Sequence, residues 1–326
     1  MKSVVTGGAG FIGSHLVELL VKKKHKVVVL DNLSTGRKSN IVGLAKKIKF
    51  IKCDLSKKGK WEKSIKKADY VFHLASLADI VPSIEKPKDY FEANVTSTLN
   101  VLEQCKKYKV KKIIYAASSS CYGLAKDFPT KEESKIDTRY PYALSKYLGE
   151  QLVLHWNRVY GIKCCSLRLF NVYGTRSRTS GTYGAVFGVF LAQKLANKPL
   201  TVVGNGKQTR DFTYVTDVAN AFELAARRKT KDIIYNVGSG KTVSINKIVK
   251  LLNCKKVVHI PKRPGEPFFT YACIKKIKKN LGWQPKININ EGIKLVLDNI
   301  KYWKKAPLWT PKKINKNTKK WFKYLK

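Results

Sequence analysis

Residues 4–16 read VVTGGAGFIGSHL, and this stretch decides how the start of the chain folds. It begins inside a short β-rich run at residues 2–6, passes through Gly7, Gly10 and Gly13, and continues as an amphipathic segment. Glycine tolerates positive φ in a tight turn and lets backbone amides come close to a ligand. A strand, a glycine-rich turn and the start of a helix, in this order, predict a cradle for a pyrophosphate. A glycine-rich turn without a ligand is the alternative, and the flanking strand and helix argue against it.

Two aspartates follow the next two predicted strands. Asp31 ends the second apolar run, 18 residues after Gly13. A carboxylate at this place accepts hydrogen bonds from a ribose 2′-hydroxyl and repels a 2′-phosphate, so the sequence favours NAD over NADP as the cofactor. Asp54 follows the third run and is placed to meet an adenine edge, and a loop aspartate with no ligand is the alternative.

The first half of the chain alternates between apolar runs and helical stretches. After the first run, strands are predicted at residues 26–32, 48–55, 68–76, 110–119 and 162–174, and a long helical stretch is predicted at residues 84–108. The runs are continuously apolar, which is typical of parallel strands buried on both faces. The pattern predicts an α/β fold with a doubly wound parallel sheet, the Rossmann arrangement.

The alternation breaks after residue 171, which predicts a second unit. Residues 1–171 are interpreted as a dinucleotide-binding domain to which residues 211–238 return. Residues 172–326 are interpreted mainly as a smaller C-terminal substrate-binding lobe, followed by a tail that starts near Lys304. The tail is amphipathic and is expected to pack on this lobe or on a partner subunit. Its aromatic residues are Trp309, Trp321, Phe322 and Tyr324.

Composition argues against several classes of protein. The chain has 326 residues, 44% of them apolar, which is enough for a well-formed core. No apolar run reaches the ~18 residues that span a membrane. The N-terminus shows no secretion signal, so a cytoplasmic location is expected. The seven cysteines are odd in number and include no Cys-x-x-Cys pair, so we expect free thiols and neither a disulfide framework nor a metal site.

The formal net charge of +43 is extreme. A polyanion-binding protein is one interpretation. Only ten of the 65 basic residues are Arg, the residue that nucleic-acid readers favour, and the lysines are scattered along the chain. We therefore prefer a lysine-biased composition with no specific nucleic-acid partner, and expect weak binding to nucleic acid at low salt.

A second site is predicted from AASSSCYG at residues 116–123 and YPYALSKYLGE at residues 140–150. Tyr142 and Lys146 lie four residues apart on a predicted helix, a spacing that also arises by chance in a lysine-rich chain. Ser118 ends the fifth predicted strand, 24 residues before Tyr142. A strand-end hydroxyl and a helix-borne Tyr–Lys pair can converge at the carboxyl edge of a parallel sheet, where ligands bind. Downstream of a dinucleotide cradle, this order indicates a catalytic set.

Eight motifs occur in a characteristic order: GGAGFIGSHL, DNLSTG, FHLAS, SSSCYG, YPYALSKYLGE, LRLFNVYG, TRDFTYVTDVANAF and RPGE. Together they resemble the extended short-chain dehydrogenase/reductase superfamily, in its branch of NAD-dependent nucleotide-sugar epimerases and dehydratases, over nearly the whole chain. The resemblance implies that Asn94 supports the sheet and the site. The alternative is that Asn94 is an ordinary helix residue without such a role. The resemblance implies a cofactor site formed by Gly7, Gly10, Phe11, Ile12, Gly13, Asp31, Asn32, Ser34, Thr35, Gly36, Asp54, Leu55, Leu74, Ala75, Ser76, Asn94, Tyr142 and Lys146.

The resemblance also implies a mechanism. Tyr142, as a phenolate, removes the proton of a sugar hydroxyl while the carbon that bears it gives a hydride to NAD⁺. A phenol with a pKa of about 10 is a poor base at neutral pH. Lys146 lies one helical turn away, and its positive charge is expected to favour the phenolate. Lys146 is also expected to bond the nicotinamide ribose, and Ser118 to share the proton and orient the hydroxyl.

The two residues after Ser118 indicate which reaction follows the oxidation. Dehydratases of this branch carry an Asp-Glu pair directly after the hydroxyl residue, and decarboxylating relatives keep a Glu two residues after it. This chain has Ser119 and Ser120 there, and neither can act as a carboxylate acid or base. The resemblance therefore implies a UDP-hexose 4-epimerase. A UDP-glucuronate 4-epimerase or a nucleotide-sugar 4,6-dehydratase or decarboxylase is the alternative.

The resemblance places the UDP-sugar against the second lobe. Arg210 and Arg263 resemble two diphosphate-contacting arginines, and a guanidinium suits phosphate. Glu266 matches an acidic residue that binds the nucleoside ribose. The full set implied to bind substrate is Ser83, Ser118, Ser119, Asn171, Arg210, Arg263 and Glu266.

Two positions bear on the identity of the sugar. Glucuronate 4-epimerases usually have Thr where this chain has Asn171, which favours a neutral hexose. Thr270, four residues after Glu266, is small where a Tyr would block a 2-acetamido group, so an N-acetylhexosamine is expected to fit. Cys273 replaces an Asp that is common in relatives and weakens a local cap at most. A homodimer, with the helix that carries Tyr142 in its interface, is expected from the resemblance alone.

Overall fold

The computed structural model describes residues 1–177, 186–231 and 233–325. Its strands are β1 (Lys2–Thr6), β2 (Lys26–Asp31), β3 (Ile48–Lys52), β4 (Tyr70–His73), β5 (Lys112–Ser118), β6 (Cys164–Leu169), β7 (Val172–Tyr173), β8 (Leu200–Val203), β9 (Thr209–Arg210), β10 (Thr213–Tyr214), β11 (Ile234–Val237), β12 (Val243–Ser244) and β13 (Val257–Ile260). Its α-helices are α1 (Phe11–Lys22), α2 (Ile80–Glu85), α3 (Pro87–Phe91), α4 (Ser97–Lys107), α5 (Pro141–Tyr160), α6 (Val186–Leu195), α7 (Val215–Arg227), α8 (Ile245–Leu251), α9 (Lys275–Leu281), α10 (Ile289–Asp298) and α11 (Pro311–Tyr324).

Seven parallel strands form the central sheet, in the order β11-β6-β5-β4-β1-β2-β3. Successive side chains of a strand point to opposite faces, and both Val4 and Val5 of β1 are fully buried. Val5 packs in the core that contains residues of α1 and α7, and Val4 packs in the core that contains residues of α4 and α5. Helices therefore cover both faces, and the predicted doubly wound Rossmann fold is confirmed.

The sheet order places the ligand-binding edge. Consecutive connections run outward in both directions from β1 and β4, so a crevice opens between the carboxyl ends of these two strands. Asp31 ends β2 and Ser118 ends β5 at the same edge. The sheet thus brings the predicted cofactor and catalytic residues to one side of the molecule.

A smaller lobe is built from paired short strands and the later helices. β7 pairs with β10, β8 with β13, and β9 with β12. Its core includes Phe190, Val202, Ile248 and Val296. By contrast, β11 returns to the edge of the central sheet beside β6, and the last helix, α11, packs against α2.

Two of the predicted elements have different boundaries in the structure. The helical stretch predicted at residues 84–108 begins earlier, at Ile80, and is divided into α2, α3, a π-helical turn (Glu92–Thr96) and α4. Pro87 lacks a backbone N–H and starts α3, which explains the break after α2. The run predicted at residues 162–174 is two strands, β6 and β7, separated by Phe170 and Asn171.

All seven cysteines are free. Within the described ranges, none of the helices combines the length and the apolar character needed to cross a bilayer.

The buried His73 predicts a stability that depends on pH. His73 Nδ1 lies 2.8 Å from Thr6 Oγ1, and its Nε2 lies 2.9 Å from Thr98 Oγ1. Burial lowers the pKa of His73 to about 3, and the charge of Lys146 acts in the same direction. In the unfolded chain the ring takes up a proton at about pH 6.5. The stability that the neutral ring contributes is therefore present above this pH and is lost as the pH falls toward the folded pKa, since the unfolded state then binds more protons.

We expect the free energy of unfolding to fall by about 2 kcal/mol between about pH 6.5 and pH 5 through this group. His73→Asn, which stays uncharged over this range, should show a correspondingly smaller fall. Denaturant unfolding of both proteins at several pH values measures the difference. Equal slopes for the two proteins would show that His73 does not carry the effect.

Candidate active site

Two of the three predicted catalytic residues, Ser118 and Tyr142, are in contact at the carboxyl edge of the sheet, and Lys146 lines the same cavity. The Tyr142 hydroxyl on α5 donates a hydrogen bond of 3.2 Å to Ser118 Oγ at the end of β5. Ser118 Oγ lies 2.8 Å from Ser120 Oγ and accepts from the Ser120 backbone N–H at 3.2 Å. Three hydroxyls thus form a connected chain along which a proton can be shared. The contact of Ser120 was not predicted from the sequence, where this position stood out only because it lacks a carboxylate.

Close packing fixes the helix that carries Tyr142. Pro141 starts α5 at a position where its missing N–H costs no hydrogen bond. A Cβ added at Gly149 would overlap the Tyr115 hydroxyl and lie 3.0 Å from the Asn94 carbonyl oxygen, so only glycine permits this approach of α5 to the sheet. The Tyr115 hydroxyl also donates to the Lys146 carbonyl oxygen at 3.2 Å. These contacts hold the backbone of α5 against β5, and the backbone in turn fixes the position of Tyr142.

Burial acts in opposite directions on the two catalytic side chains of α5. It raises the pKa of Tyr142, and the hydrogen bonds with Ser118 and Ser120 oppose the rise. It lowers the pKa of Lys146 to about 7, and the negative charge of Glu150 opposes the fall. Lys146 Nζ lies 4.3 Å from the centroid of the Tyr115 ring. The serines are thus the identified groups that favour the phenolate, and the influence of Lys146 on Tyr142 stays a prediction.

A buried ion pair connects α5, which carries Tyr142, to strand β6. Arg168 on β6 donates to Glu150 on α5, with an Nη2–Oε1 distance of 2.6 Å and an Nε–Oε2 distance of 3.1 Å. Arg168 Nη1 also donates to the Tyr122 hydroxyl at 2.9 Å and to the Glu132 carbonyl oxygen at 2.8 Å. One guanidinium therefore ties α5 to the turn (Ser119–Tyr122) that follows Ser118. Nothing in the sequence marked these two residues as partners.

The cofactor end has the geometry that a dinucleotide needs. Gly7 has a φ of +67°, and a Cβ at this position would lie 2.8 Å from the Ala75 backbone nitrogen. A Cβ at Gly13 would overlap the Gly7 carbonyl oxygen, so the turn is packed to the limit of what glycine allows. Asp31 accepts hydrogen bonds from Ala9 N–H at 2.9 Å and Leu33 N–H at 2.8 Å. Burial raises the pKa of Asp31, and these two bonds oppose the rise. The turn and the carboxylate fit a pyrophosphate and a ribose respectively.

The position of Asp54 is compatible with both interpretations that the sequence left open, a contact with adenine and an ordinary loop aspartate. It borders the main cavity, as an adenine-binding residue would. Its Oδ1 also accepts from the backbone N–H and the hydroxyl of Ser56, at 3.0 and 2.8 Å, which is the bonding of an ordinary loop aspartate. Its contact with adenine stays a prediction.

A cavity of about 770 Å³ joins the cofactor end to the catalytic residues and the smaller lobe. Nearly all residues predicted to bind cofactor or substrate line it. They are Gly7, Gly10, Phe11, Ile12, Gly13, Asp31, Asn32, Ser34, Thr35, Asp54, Leu55, Leu74, Ala75, Ser76, Ser118, Ser119, Tyr142, Lys146, Asn171, Arg210, Arg263 and Glu266.

Three predicted residues lie outside this lining. Ser83 is fully buried and donates its hydroxyl to the Ile80 carbonyl oxygen, so it faces its own helix. Gly36 packs beside the carboxylate of Asp31. Asn94 lies behind the residues that line the cavity. Its side-chain amide accepts from the Leu77 N–H and donates to the Leu77 carbonyl oxygen, and it also donates to Ser145 Oγ at 2.9 Å. Asn94 therefore joins a cavity loop to α5, and its support of the active site stays a prediction.

The far end of the cavity is rich in arginine. Arg210 Nη2 lies 2.9 Å from Glu266 Oε1, and Arg263 Nη1 lies 3.6 Å from Glu266 Oε2. Glu266 Oε2 accepts no hydrogen bond within the described part of the chain. Thr270 Oγ1 donates to Asn171 Oδ1 at 3.2 Å, which brings together the two positions that bear on sugar identity. Two cations beside an acceptor suit a diphosphate next to a ribose.

Tyr302 is one of the cavity residues that come from parts of the chain outside the motifs. Tyr302, after α10, borders the cofactor end, and its hydroxyl donates to Asn40 Oδ1 at 2.9 Å. The Arg37 guanidinium lies 5.6 Å from the centroid of its ring. The two partners are 262 residues apart, so no local pattern could have predicted the contact.

A glycine-rich turn and a Ser118–Tyr142 contact at the carboxyl edge of a doubly wound sheet are typical of a dinucleotide-binding enzyme. The chain belongs to the NAD dependent epimerase/dehydratase family, whose model matches residues 3–238, and NAD is its cofactor. This confirms the family that the motifs resemble.

Known proteins of this family support the assignment. The crystal structure of UDP-glucose 4-epimerase with UDP-glucose from Thermotoga maritima is similar, with 35% identity and a TM-score of 0.86, over 94% of this chain and 99% of that one. UDP-N-acetylglucosamine 4-epimerase from Methanobrevibacter ruminantium, solved with UDP-N-acetylmuramic acid, gives 33% identity and a TM-score of 0.85 over 91% and 98%. UDP-N-acetyl-alpha-D-glucosaminuronate decarboxylase of Bacillus cytotoxicus is 32% identical over 90% of this chain and 95% of its own. The chain is thus similar to epimerases and to a decarboxylase.

Proposed function

We propose that the protein interconverts the two epimers of a UDP-hexose at carbon 4. The observation that carries this proposal is the 3.2 Å contact between Tyr142 and Ser118 in a turn that continues with serines instead of carboxylates. The hydroxyl chain can remove and return the proton of a sugar hydroxyl. The two serines after Ser118 cannot supply the carboxylate acid or base that elimination of water requires. The remaining reaction for an oxidised sugar in this site is therefore its reduction back to an alcohol.

The chemistry divides between the cofactor and the residues of the chain. The residues at the cofactor end of the cavity, Gly7, Gly13 and Asp31 among them, would hold NAD⁺, which would supply the hydride acceptor for carbon 4 and then the hydride donor to the opposite face of the 4-keto sugar. Tyr142 accepts the hydroxyl proton and later returns it, and Ser118 and Ser120 stabilise the phenolate by donating hydrogen bonds. Lys146 lies one helical turn from Tyr142, and its charge supports the same state. Since the hydrogen is returned in each cycle, the cofactor is retained and not consumed.

The second lobe accounts for the nucleotide. Arg210 and Arg263 present guanidinium groups for the diphosphate, and Glu266 Oε2 is available to accept from the ribose hydroxyls. In this proposal residues 1–171 with 211–238 hold the dinucleotide, and residues 172–326 mainly hold the UDP-sugar. Ser119 and Asn171 lie between these ends and contact the hexose.

The test is to incubate the protein, without added NAD, with UDP-glucose, UDP-N-acetylglucosamine and UDP-glucuronate separately, and to identify the products by NMR. The proposal requires the 4-epimer of at least one neutral UDP-hexose. A decarboxylated pentose or a 4-keto-6-deoxy sugar would instead establish the decarboxylase or dehydratase reading, and turnover of UDP-glucuronate alone would establish the glucuronate epimerase.

We propose that an N-acetylhexosamine is accepted, because Thr270 is small and bonds to Asn171 in the cavity wall. Thr270→Tyr should lower kcat/KM for UDP-N-acetylglucosamine by at least about tenfold relative to UDP-glucose, since the larger ring occupies the space of the acetamido group. Thr270→Ser keeps the hydroxyl and serves as the control. A Tyr variant with an unchanged ratio of the two kcat/KM values would place the acetamido group elsewhere.

We also propose that the protein works in the cytoplasm as a homodimer. The packed helices α4 and α5 expose Leu99 and Leu144, which are 36% and 37% accessible. Exposed leucines on adjacent helices suit a second copy of the same surface. Sedimentation equilibrium should give twice the mass of the 36.9 kDa chain, and a monomer mass would refute the dimer.

A further inference from the structure

The C-terminal helix α11 lies outside residues 3–238, which the family model matches, yet it reaches the active-site cavity. One face of α11 is buried through Ile314, Thr318 and Trp321, each at most 3% exposed. These residues are spaced by four and three positions, so they lie on the same side of the helix. The next residue, Phe322, is 40% exposed and points away from this face.

Trp321 is in contact with the turn that carries Arg263, one of the two arginines predicted to bind the diphosphate. Its Nε1 donates a hydrogen bond of 2.6 Å to the Pro264 carbonyl oxygen. The Arg263 guanidinium carbon lies 5.6 Å from the centroid of its ring. A guanidinium over an indole is held by the negative face of the ring. The indole therefore fixes both the backbone and the charged group of the RPGE turn.

The same ring connects this turn to the catalytic tyrosine. Trp321 lies 6.4 Å from Tyr140, measured between ring centroids, and Tyr140 stacks on Tyr142 at 6.4 Å with an interplanar angle of 6°. All three aromatic residues line the cavity. The helix α11 also packs against α2, whose first residue, Ile80, lines the cavity. The helix thus bridges the central domain and the smaller lobe across the site.

We propose that α11 is part of the nucleotide-sugar subsite, in which Trp321 positions Arg263 for the diphosphate and closes the wall between Arg263 and Tyr140. This inference rests on the proposed function, because it assigns the ligand of the subsite as a UDP-sugar. The helix adds a binding element from a segment that none of the family motifs includes. Trp321 acts on binding, not on the proton transfer.

The test compares Trp321→Ala, Trp321→Phe and the control Phe322→Ala by titration calorimetry with UDP and by steady-state kinetics. For Trp321→Ala we expect the Kd for UDP and the KM for the UDP-sugar to rise about tenfold, since a cation–π contact and a hydrogen bond are lost together. Trp321→Phe keeps an aromatic face and should show a smaller rise. The Phe322→Ala variant should match the unmodified protein. In all three variants kcat and the content of tightly bound NAD should stay within about threefold, because the interactions with the reacting groups are intact.

An unchanged Kd for UDP in a folded Trp321→Ala variant overturns the inference, as does an equal weakening by Phe322→Ala. A fall in kcat with an unchanged KM overturns it as well. If Trp321→Ala does not fold, Trp321→Phe decides the matter, and an unchanged Kd for UDP in that variant refutes the inference. The measurement is separable from the proposed function: UDP affinity can depend on Trp321 even if no sugar is epimerised, and a protein that epimerises sugars with Trp321 irrelevant refutes only this inference.

Discussion

Tyr142→Phe is expected to lower kcat by about 10³-fold or more, while NAD content, UDP affinity and the melting temperature stay close to those of the unmodified protein. The substitution removes a single hydroxyl that donates to Ser118 at 3.2 Å and leaves the ring and its packing in place. Loss of a positioned general base costs on the order of 10²–10⁴ in rate. The loss falls on kcat, because the hydroxyl acts on the proton in transfer and the nucleotide is held by the far end of the cavity.

The control for this experiment is Tyr147→Phe on the same helix. Tyr147 packs in the small cluster of Cys121, Tyr122 and Phe170 and does not border the cavity. It should keep full activity. If Tyr142→Phe retained full kcat, or if both variants lost activity alike, Tyr142 would not be the base.

Breaking the buried ion pair is expected to cause the largest loss of stability. Glu150→Leu leaves the Arg168 guanidinium, which is 3% exposed, without its carboxylate partner. Removing one member of a buried pair costs about 3–5 kcal/mol, because the remaining charge stays desolvated. We expect this loss in the free energy of unfolding, measured by denaturant titration.

A double-mutant cycle separates the pair from its surroundings. Arg168→Met alone should also destabilise the protein, and the double variant should lose clearly less than the sum of the two single losses, since it contains no unpaired charge. Arg139→Met is a control, because its ion pair with Asp137 is exposed and should contribute less than about 1 kcal/mol. Additive losses in the cycle would mean that Glu150 and Arg168 do not stabilise each other.

Much of the site could be predicted because its signals are local. The spacing of Gly7, Gly10 and Gly13 is a property of one turn, and the structure shows that a side chain at Gly7 or Gly13 would collide with neighbouring backbone. Ser118 and Tyr142 come from separate motifs, and their convergence follows once both are assigned to the carboxyl edge of one parallel sheet.

Residues whose role depends on distant parts of the chain could not be found in this way. Glu150 and Arg168 are two charged residues among many until the fold buries them together. Trp321 looked like one aromatic residue of an amphipathic tail, and its contact with Pro264 spans 57 residues. Ser83 was predicted to contact the sugar, and in the structure its hydroxyl donates to the Ile80 carbonyl oxygen within α2. A hydroxyl on a short helix can donate to a carbonyl oxygen of the preceding turn, and the sequence does not show whether it does so.

In the proposed reaction one hydrogen leaves carbon 4 of the sugar and returns to the opposite face of the same carbon while the sugar stays bound. The most direct test is to supply a UDP-hexose that the protein epimerises, labelled with deuterium at carbon 4, in ordinary water. NMR should find the label at carbon 4 of both epimers at equilibrium, with no loss to solvent. Exchange of the label with water, or its appearance at another carbon, would rule out this reaction.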